Sequence, residues 1–110
     1  MKQYLLGIDI GTSACKIAIF DGDGQVIASG NGDYPVYYPQ AGWAEQNPEE
    51  WWSAVCRAVR ETLEKGKVNP GEIAGIGIDG QSWSAIPMDK NGEVLTNTPI
   101  WMDTRAADIC

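Results

Sequence analysis

Two apolar segments separated by a glycine turn, at the start of the sequence, most constrain the fold. Tyr4–Ile10 is apolar and rich in β-forming residues, Gly11 ends it, and a second segment of this kind follows at Lys16–Phe20. A third, Gln25–Ser29, comes directly after the turn sequence Asp-Gly-Asp-Gly. The three segments predict an antiparallel meander of strands.

A strong helix signal begins in the middle of the chain. Asn47 can cap a helix, Pro48 suits the first helical position, and Glu50 is placed for a reciprocal capping contact. The helix is expected to run to about Lys65, with Gly66 closing it. Apolar residues recur at steps of three and four on its predicted buried face: Trp52, Val55, Val59 and Leu63.

Further strands are predicted around this helix. Ile73–Ile78 is a buried strand, and Ser84–Met88 with Glu93–Leu95 forms a second hairpin whose turn repeats the chemistry of the first. Prolines and glycines make the segment 31–47 an exposed loop, which carries Tyr34, Tyr37, Tyr38 and Trp43. A helical pattern starts at Arg105 and reaches Cys110 without a terminator, so we expect the sequence to be part of a longer domain.

Composition excludes several classes of function. The chain has 110 residues, 15 acidic against 8 basic, and a net charge of -7, which argues against nucleic acid as a partner. A phosphate ligand would therefore be held by backbone amides or by a metal ion. The sequence contains no histidine, which removes the commonest general base and every histidine-activated nucleophile.

Cysteine usage and hydropathy indicate the compartment. Cys15, Cys56 and Cys110 are odd in number and far apart, so we expect neither a disulfide framework nor a zinc site. No apolar run reaches the roughly 18 residues that span a bilayer. We therefore expect a reduced, cytoplasmic protein with no membrane partner.

The stretch from Gly7 to Lys16 is the first candidate site. It is not a Walker loop, because Thr12 stands where the second glycine is required, and no helix follows as a dinucleotide fingerprint demands. In a hairpin turn, backbone amides and the Thr12 and Ser13 hydroxyls can surround a phosphate, Lys16 can add a charge, and Asp9 can hold hydrated magnesium. Spacing alone equally allows a simple tight turn.

Two later segments are candidates for binding a hydroxylated ligand. Gln81, Ser82 and Trp83 follow the acid that ends a predicted strand, where open α/β sheets bind ligands. Trp101 and Asp103 repeat the combination of an aromatic ring and an acid, with a guanidinium two residues later. The alternative is a surface turn in which Trp101 packs and Asp103 caps a helix.

The order of these pieces resembles the amino-terminal part of the FGGY carbohydrate kinases, within the actin, hexokinase and Hsp70-like ATPase superfamily. The resemblance rests on four stretches: GIDIGTSACK, AGWAEQNPEEWW, GIGIDGQSW and PIWMDTRAADIC. Trp43–Pro48 is similar to the corresponding segment of xylulokinases. The resemblance implies an RNase H-like α/β fold, with a mixed five-stranded sheet and flanking helices. Residues 1–110 would be the amino-terminal part of the first kinase domain, without the carboxy-terminal domain.

The resemblance also implies ATP-dependent phosphorylation of a sugar or polyol hydroxyl. Asp9 would bind hydrated Mg²⁺, and the transferred phosphoryl group would meet Gly11, Thr12, Ser13 and Lys16. The sugar-facing positions would be Gln81, Ser82, Trp83, Trp101 and Asp103. The general-base aspartate and the adenosine motif are expected beyond residue 110, so the chain alone should be inactive.

Two questions stay open at this level. Ser82-Trp83 stands where xylulokinases have Met-His and glycerol kinases have Arg-Glu, so the substrate is not fixed among ketoses, polyols and sugar acids. The alternative function is a non-catalytic module that binds partners or forms a homo-oligomer.

Overall fold

Six strands and one α-helix follow one another in the computed structural model, which describes residues 2–109. Every strand of the predicted meander, the central helix and the strand after it are confirmed, with small changes at their ends. The elements are β1 (Tyr4–Ile10), β2 (Ala14–Phe20), β3 (Val26–Asp33), β4 (Glu45–Gln46), α1 (Pro48–Gly66), a 3-10 turn (Pro70–Glu72), β5 (Ile73–Gly80) and β6 (Thr98–Pro99).

The main sheet has the strand order β3-β2-β1-β5. β1, β2 and β3 pair antiparallel, whereas β5 pairs parallel with β1. The sheet is therefore mixed, as the resemblance implies, with four strands in residues 2–109 against the five implied. β4 and β6 form a separate two-stranded ribbon. Because β1 and β5 are parallel, their carboxyl ends meet at one edge of the sheet.

The helix α1 covers one face of the sheet. Its start is as predicted, since the Asn47 side chain accepts a hydrogen bond from Glu49 N at 3.0 Å and Pro48 opens the first turn. Alternate residues of β2 point toward it, because side chains of a strand alternate between the two faces. The buried core beneath the helix includes Leu6, Cys15, Ile17, Ile19, Ala54, Val55 and Ala58.

The predicted buried face of the helix is confirmed at Val55, which is in the core, and at Val59 and Leu63, which pack against it, but not at Trp52. Trp52 is 66% exposed, whereas Ala54, Ala58 and Thr62 are buried. These small residues face a strand of glycines: a Cβ on Gly32 would lie 2.9 Å from Ala54 O. The close approach of helix and strand selects small side chains at the contact, and the large ring of Trp52 turns outward.

The end of α1 also differs from the prediction. Gly66 is the last helical residue, and the left-handed position falls on Lys67, with a φ of 55°. Gly66 is needed for packing instead, since a Cβ there would lie 3.0 Å from the Ala28 Cβ. At the other end, Glu50 Oε1 accepts a hydrogen bond from Tyr37 OH at 2.7 Å rather than from the capping backbone.

The predicted exposed loop over 31–47 is confirmed for residues 37–42, whereas both ends of the segment are partly buried. β3 continues to Asp33, and Tyr34 enters the core. Ala44 and Gln46 are also buried. The two ends of the segment are buried because Tyr34 and Gln46 bond to carbonyl oxygens of the turn that follows β1.

The two predicted hairpins share one turn geometry. Asp21 Oδ1 accepts from the backbone nitrogens of Asp23 and Gln25, each at 2.9 Å. Asp89 Oδ1 does the same for residues 91 and 93, at 2.8 and 3.0 Å. The second hairpin nevertheless has a single bridge, between Met88 and Val94, instead of paired strands. In the final segment, residues 105–109 form successive turns, and Cys110 lies outside the described residues.

Candidate functional site

The turn of residues 11–13, which we call the phosphate turn, is held by its carbonyl oxygens. Gly11 N donates to Ala14 O at 3.0 Å, whereas the Thr12 and Ser13 amides donate to no acceptor in residues 2–109. With the carbonyls bonded toward the protein, these two amides remain available to an anion. Four donors hold the carbonyls of residues 10–13: Gln81 N donates to Ile10 O at 2.9 Å, Tyr34 OH to Gly11 O, Gln46 Nε2 to Thr12 O, and Tyr34 N to Ser13 O at 3.2 Å.

Charged groups gather beside the phosphate turn, on the face of the sheet opposite α1. Asp9 is the register partner of Lys16 on β2 and of Asp79 on β5. The three side chains line an open groove of about 420 Å³. Gly7 and Gly77, also register partners, keep its floor low, and Ala18 and Phe20 add apolar lining. The groove therefore offers two carboxylates and one ammonium group beside an apolar surface.

The Asp9 and Asp79 carboxyl groups influence each other. A hydrogen bond with the Asp9 carboxyl, followed by the negative charge of Asp9, raises the pKa of Asp79 above its ordinary value. A cation would relieve this repulsion, and carboxylate oxygens are ligands that Mg²⁺ prefers. In the described part of the chain no three His, Cys, Asp or Glu residues cluster as a metal site. The residues present thus fit a divalent ion that keeps most of its water ligands.

Sequence reasoning did not assign Asp79 to the site, although a signal was available. The tripeptide Gly-Ile-Asp occurs at 7–9 and again at 77–79. In the parallel pair β1 and β5 the two copies are in register, residue for residue. If the two strands that end in this tripeptide are taken as a parallel pair, both acids fall at the same edge of the sheet.

The turn of residues 81–83, which we call the alcohol turn, lies next to the phosphate turn. Gln81 Nε2 donates to Gln46 Oε1 at 2.7 Å, and its own Oε1 is buried without a partner in residues 2–109. Ser82 is exposed, and Trp83 is 90% exposed. Trp83 also has a φ of 66°, in the left-handed region. This conformation is unfavourable for a residue with a large side chain, and such residues cluster at functional sites. Ser82 and Trp83 are therefore the accessible side chains of this turn.

The predicted residues after β6 are divided between two roles. Trp101 Nε1 donates to Thr12 Oγ1 at 2.9 Å, which brings this segment to the phosphate turn. Asp103 instead accepts from Ala44 N at 2.8 Å and from Arg105 Nε at 2.9 Å. A sugar contact for Asp103 stays a prediction, since the structure shows its carboxylate occupied within the protein.

Arg105 joins Asp103, Glu45 and Trp43 in a cluster that we call the clamp. Sequence reasoning did not assign Arg105 this role. Its Nη2 lies 2.7 Å from Glu45 Oε2, and its guanidinium stacks 3.8 Å from the ring centre of Trp43. Hydrogen bonding from Arg105 lowers the pKa of Asp103 to about 2. The clamp fixes the segment that carries Trp101 to the loop before α1.

Comparison with known proteins identifies the family and the fold. Residues 4–110 match the family model described as the N-terminal domain of the FGGY family of carbohydrate kinases. Gluconate kinase from Lactobacillus acidophilus superposes with a TM-score of 0.90 at 32% identity, over 99% of this chain and 22% of its own. Ligand-bound xylulose kinase from the same organism gives 0.89 at 33% identity, over 97% and 21%. Glycerol kinase from Thermococcus gammatolerans is 39% identical over 99% of this chain and 22% of its own length.

The fold is that of the actin- and hexokinase-like ATPases, and the edge where β1 and β5 end is its candidate site. The chain belongs to the FGGY family of carbohydrate kinases. It spans about a fifth (22%) of the length of the glycerol kinase it matches. The predicted family is confirmed, while the likeness to xylulokinases is shared with glycerol and gluconate kinases. Within residues 2–109, no helix combines the length and apolarity needed to cross a membrane.

Proposed function

We propose that this chain forms the phosphate-facing wall and part of the alcohol-binding site of a carbohydrate kinase. The reaction is transfer of a phosphoryl group from ATP to a hydroxyl of a sugar or polyol, in the cytoplasm. The observation that carries the proposal is the meeting of the phosphate turn with the alcohol turn at the edge where β1 and β5 end. Phosphoryl transfer depends mainly on positioning and charge stabilisation, which such an edge can supply.

On the phosphate side, the roles follow from the contacts. The Thr12 and Ser13 amides donate to phosphate oxygens, and the exposed Lys16 ammonium, which forms no ion pair within residues 2–109, adds a positive charge. Asp9 and Asp79 are the residues that would hold a hydrated Mg²⁺, through their carboxylates. When bound, the ion neutralises negative charge on the phosphate oxygens.

On the alcohol side, Ser82, Trp83 and Trp101 offer a hydroxyl and two exposed aromatic rings. An aromatic ring suits the apolar face of a sugar, and the hydroxyl can bond its alcohol groups. Arg105, the guanidinium of this region, is already paired with Glu45 and Asp103. Ketoses, polyols and sugar acids all stay open as substrates, since the relatives include glycerol, xylulose and gluconate kinases.

The experiment is a substrate panel. The product of the complete open reading frame that encodes this sequence is assayed with Mg-ATP and glycerol, xylulose or gluconate. We expect turnover with at least one of the three alcohols. Lys16→Met should raise the KM for ATP about tenfold, whereas Lys90→Met, on the remote second hairpin, should leave it unchanged. Absence of ATP-dependent turnover with a wide range of sugars and polyols would refute the proposal.

A second candidate function is a non-catalytic association module. Ile76 and Ile78, neighbours on one face of the edge strand β5, are 60% and 68% exposed. Two exposed apolar side chains side by side on an edge strand are unusual. Such a surface favours pairing with another chain. A tight, specific oligomer of the purified 110-residue chain, without kinase activity in the complete product, would support this candidate.

A further inference from the structure

Gln46 lies at the centre of a hydrogen-bond network that joins both turns. It is fully buried, on β4, and its side-chain amide uses its full capacity of two donated and two accepted hydrogen bonds. Nε2 donates to Thr12 O and, at 3.3 Å, to Pro35 O. Oε1 accepts from Trp51 Nε1 at 3.0 Å and from Gln81 Nε2 at 2.7 Å.

The partners leave the Gln46 amide one orientation. The indole of Trp51 can only donate, so it must face Oε1. The carbonyl oxygens of Thr12 and Pro35 can only accept, so they must face Nε2. A rotated amide would set two acceptors against an oxygen and a donor against an NH₂ group, leaving buried groups unpaired.

The orientation of Gln46 then fixes that of Gln81. With Gln46 Oε1 as its partner, Gln81 must present its own NH₂ group. The same NH₂ group lies 3.5 Å from Gly11 O, and the Gln81 backbone nitrogen donates to Ile10 O. Gln81 is therefore tied to the end of β1 by both backbone and side chain.

Anchoring at Gln81 matters for the residues that follow it. Trp83 keeps a left-handed backbone conformation although it is 90% exposed and has little packing to hold it. Such a conformation persists where the surrounding structure determines it. The hydrogen bonds at Gln81 are the nearest restraint on the chain before Trp83.

We propose that Gln46 is a positioning residue, which holds the alcohol turn at a fixed place and orientation relative to the phosphate turn. Gln46 has no exposed surface, so it acts on the substrates through Thr12 and Gln81 rather than by contact. The inference rests on the proposed kinase function for its kinetic consequences. Its two sides are separable, because Nε2 serves the phosphate turn and Oε1 serves the alcohol turn.

Two substitutions test this role in the product of the complete open reading frame, one that removes the hydrogen bonds and one that retains most of them. Gln46→Met keeps the volume and removes all four hydrogen bonds. Gln46→Glu keeps an acceptor oxygen for Gln81 and Trp51, and burial beside two carbonyl oxygens favours the protonated carboxyl. Gln40→Met, in the exposed loop, is the matched control.

The measurement is KM for the alcohol and KM for ATP, with whichever of glycerol, xylulose and gluconate the wild type uses best. Gln46→Met should raise the alcohol KM about tenfold, whereas Gln46→Glu should stay within about threefold of the wild type. Equal alcohol KM values for the two variants, or an unchanged value for Gln46→Met, would overturn the inference. A merely structural role would instead change both variants together.

Two further readouts cover failure of the first. If Gln46→Met does not fold, Gln81→Met breaks the same 2.7 Å bond from the partly exposed side. It should raise the alcohol KM equally, and an unchanged KM would overturn the inference.

If the wild type phosphorylates none of the three alcohols, the proposed function fails on that panel, and exchange of the Gln81 side-chain amide protons tests the inference. Exchange should be at least about tenfold faster in Gln46→Met than in Gln46→Glu, and equal rates would contradict it.

Discussion

The indole nitrogen of Trp101 donates a 2.9 Å hydrogen bond to the hydroxyl of Thr12. This bond connects the segment after β6 with the phosphate turn, across most of the chain. Trp101 is 55% exposed, so its ring remains accessible while its indole nitrogen is bonded to the phosphate turn. Thr12 is thus bonded at its hydroxyl by Trp101 and at its carbonyl by Gln46.

The first prediction concerns that bond. Trp101→Phe removes the donor and keeps most of the ring, so kcat/KM should fall about three- to tenfold, the net worth of one hydrogen bond. Thr12→Val should lower it at least as much, and the double variant should fall by less than the product of the two effects. Steady-state kinetics with Mg-ATP measures this.

The matched control is Trp52→Phe on the outer face of α1, which should leave kcat/KM unchanged. Effects of the Trp101 and Thr12 substitutions that multiply fully would show that the two side chains act independently.

The second prediction concerns the strained backbone at Trp83. Trp83→Gly removes an unfavourable left-handed conformation worth about 1 kcal/mol, which offsets the flexibility that glycine adds to the unfolded chain. The melting temperature should therefore not fall, while KM for the alcohol should rise several-fold because the exposed ring is lost. Lys67→Gly relieves a similar conformation far from the site, so it should raise the melting temperature without changing KM. A marked loss of stability in Trp83→Gly would show that the ring has a structural role.

The third prediction concerns the clamp at Asp103. Its lowered pKa means that the ionised carboxylate stabilises the folded state above the ordinary pKa near 4, and that this contribution is lost as the pH falls toward about 2. Asp103→Asn should lower the free energy of unfolding at pH 7 by about 1 kcal/mol, allowing for solvent screening. Its difference from the wild type should disappear near pH 2.

Denaturant unfolding from pH 7 to pH 2 measures this difference, with Asp108→Asn at an exposed acid as the control. A difference between Asp103→Asn and the wild type that stays constant across the whole pH range would rule out titration of Asp103 as its source.

The fourth prediction concerns the contact between α1 and β3. Gly32→Ala places a Cβ 2.9 Å from Ala54 O, so the helix must move and the free energy of unfolding should fall by about 1–3 kcal/mol. Gly77→Ala, on β5, meets no atom within 4 Å and should change it by less than about 0.5 kcal/mol. Equal effects on thermal unfolding would show that the helix does not depend on this close approach.

Local sequence signals predicted most of the fold. Alternating and continuous apolar segments gave β1, β2, β3 and β5, and the Asn47-Pro48 cap gave the start of α1. Apolar spacing also indicated Val55, Val59 and Leu63 on the buried face of the helix. It could not indicate that small residues make the closest contact and that Trp52 turns outward, because this depends on Gly30 and Gly32 of a different element. Apolar spacing reports which side is hydrophobic, but not how closely a neighbour approaches.

The candidate site was predictable to a similar extent. Asp9 and the turns at 11–13 and 81–83 were indicated by their positions at strand ends, which the parallel pairing of β1 and β5 brings together. Gln46 and Arg105 were not, because their roles lie in bonds to residues 35 and 60 positions away. A single glutamine or arginine carries no local pattern that identifies such partners.

The most direct test of the account is the dependence of phosphoryl transfer on Asp9. Initial rates are measured for the wild type and for Asp9→Asn over a Mg²⁺ titration at saturating ATP and alcohol, with Asp23→Asn in the first hairpin turn as the control. We predict that Asp9→Asn lowers kcat at least about 100-fold and that excess Mg²⁺ does not restore it, while Asp23→Asn matches the wild type. An Asp9→Asn protein with wild-type kcat and wild-type Mg²⁺ dependence would contradict the assignment of this edge as the phosphoryl-transfer site.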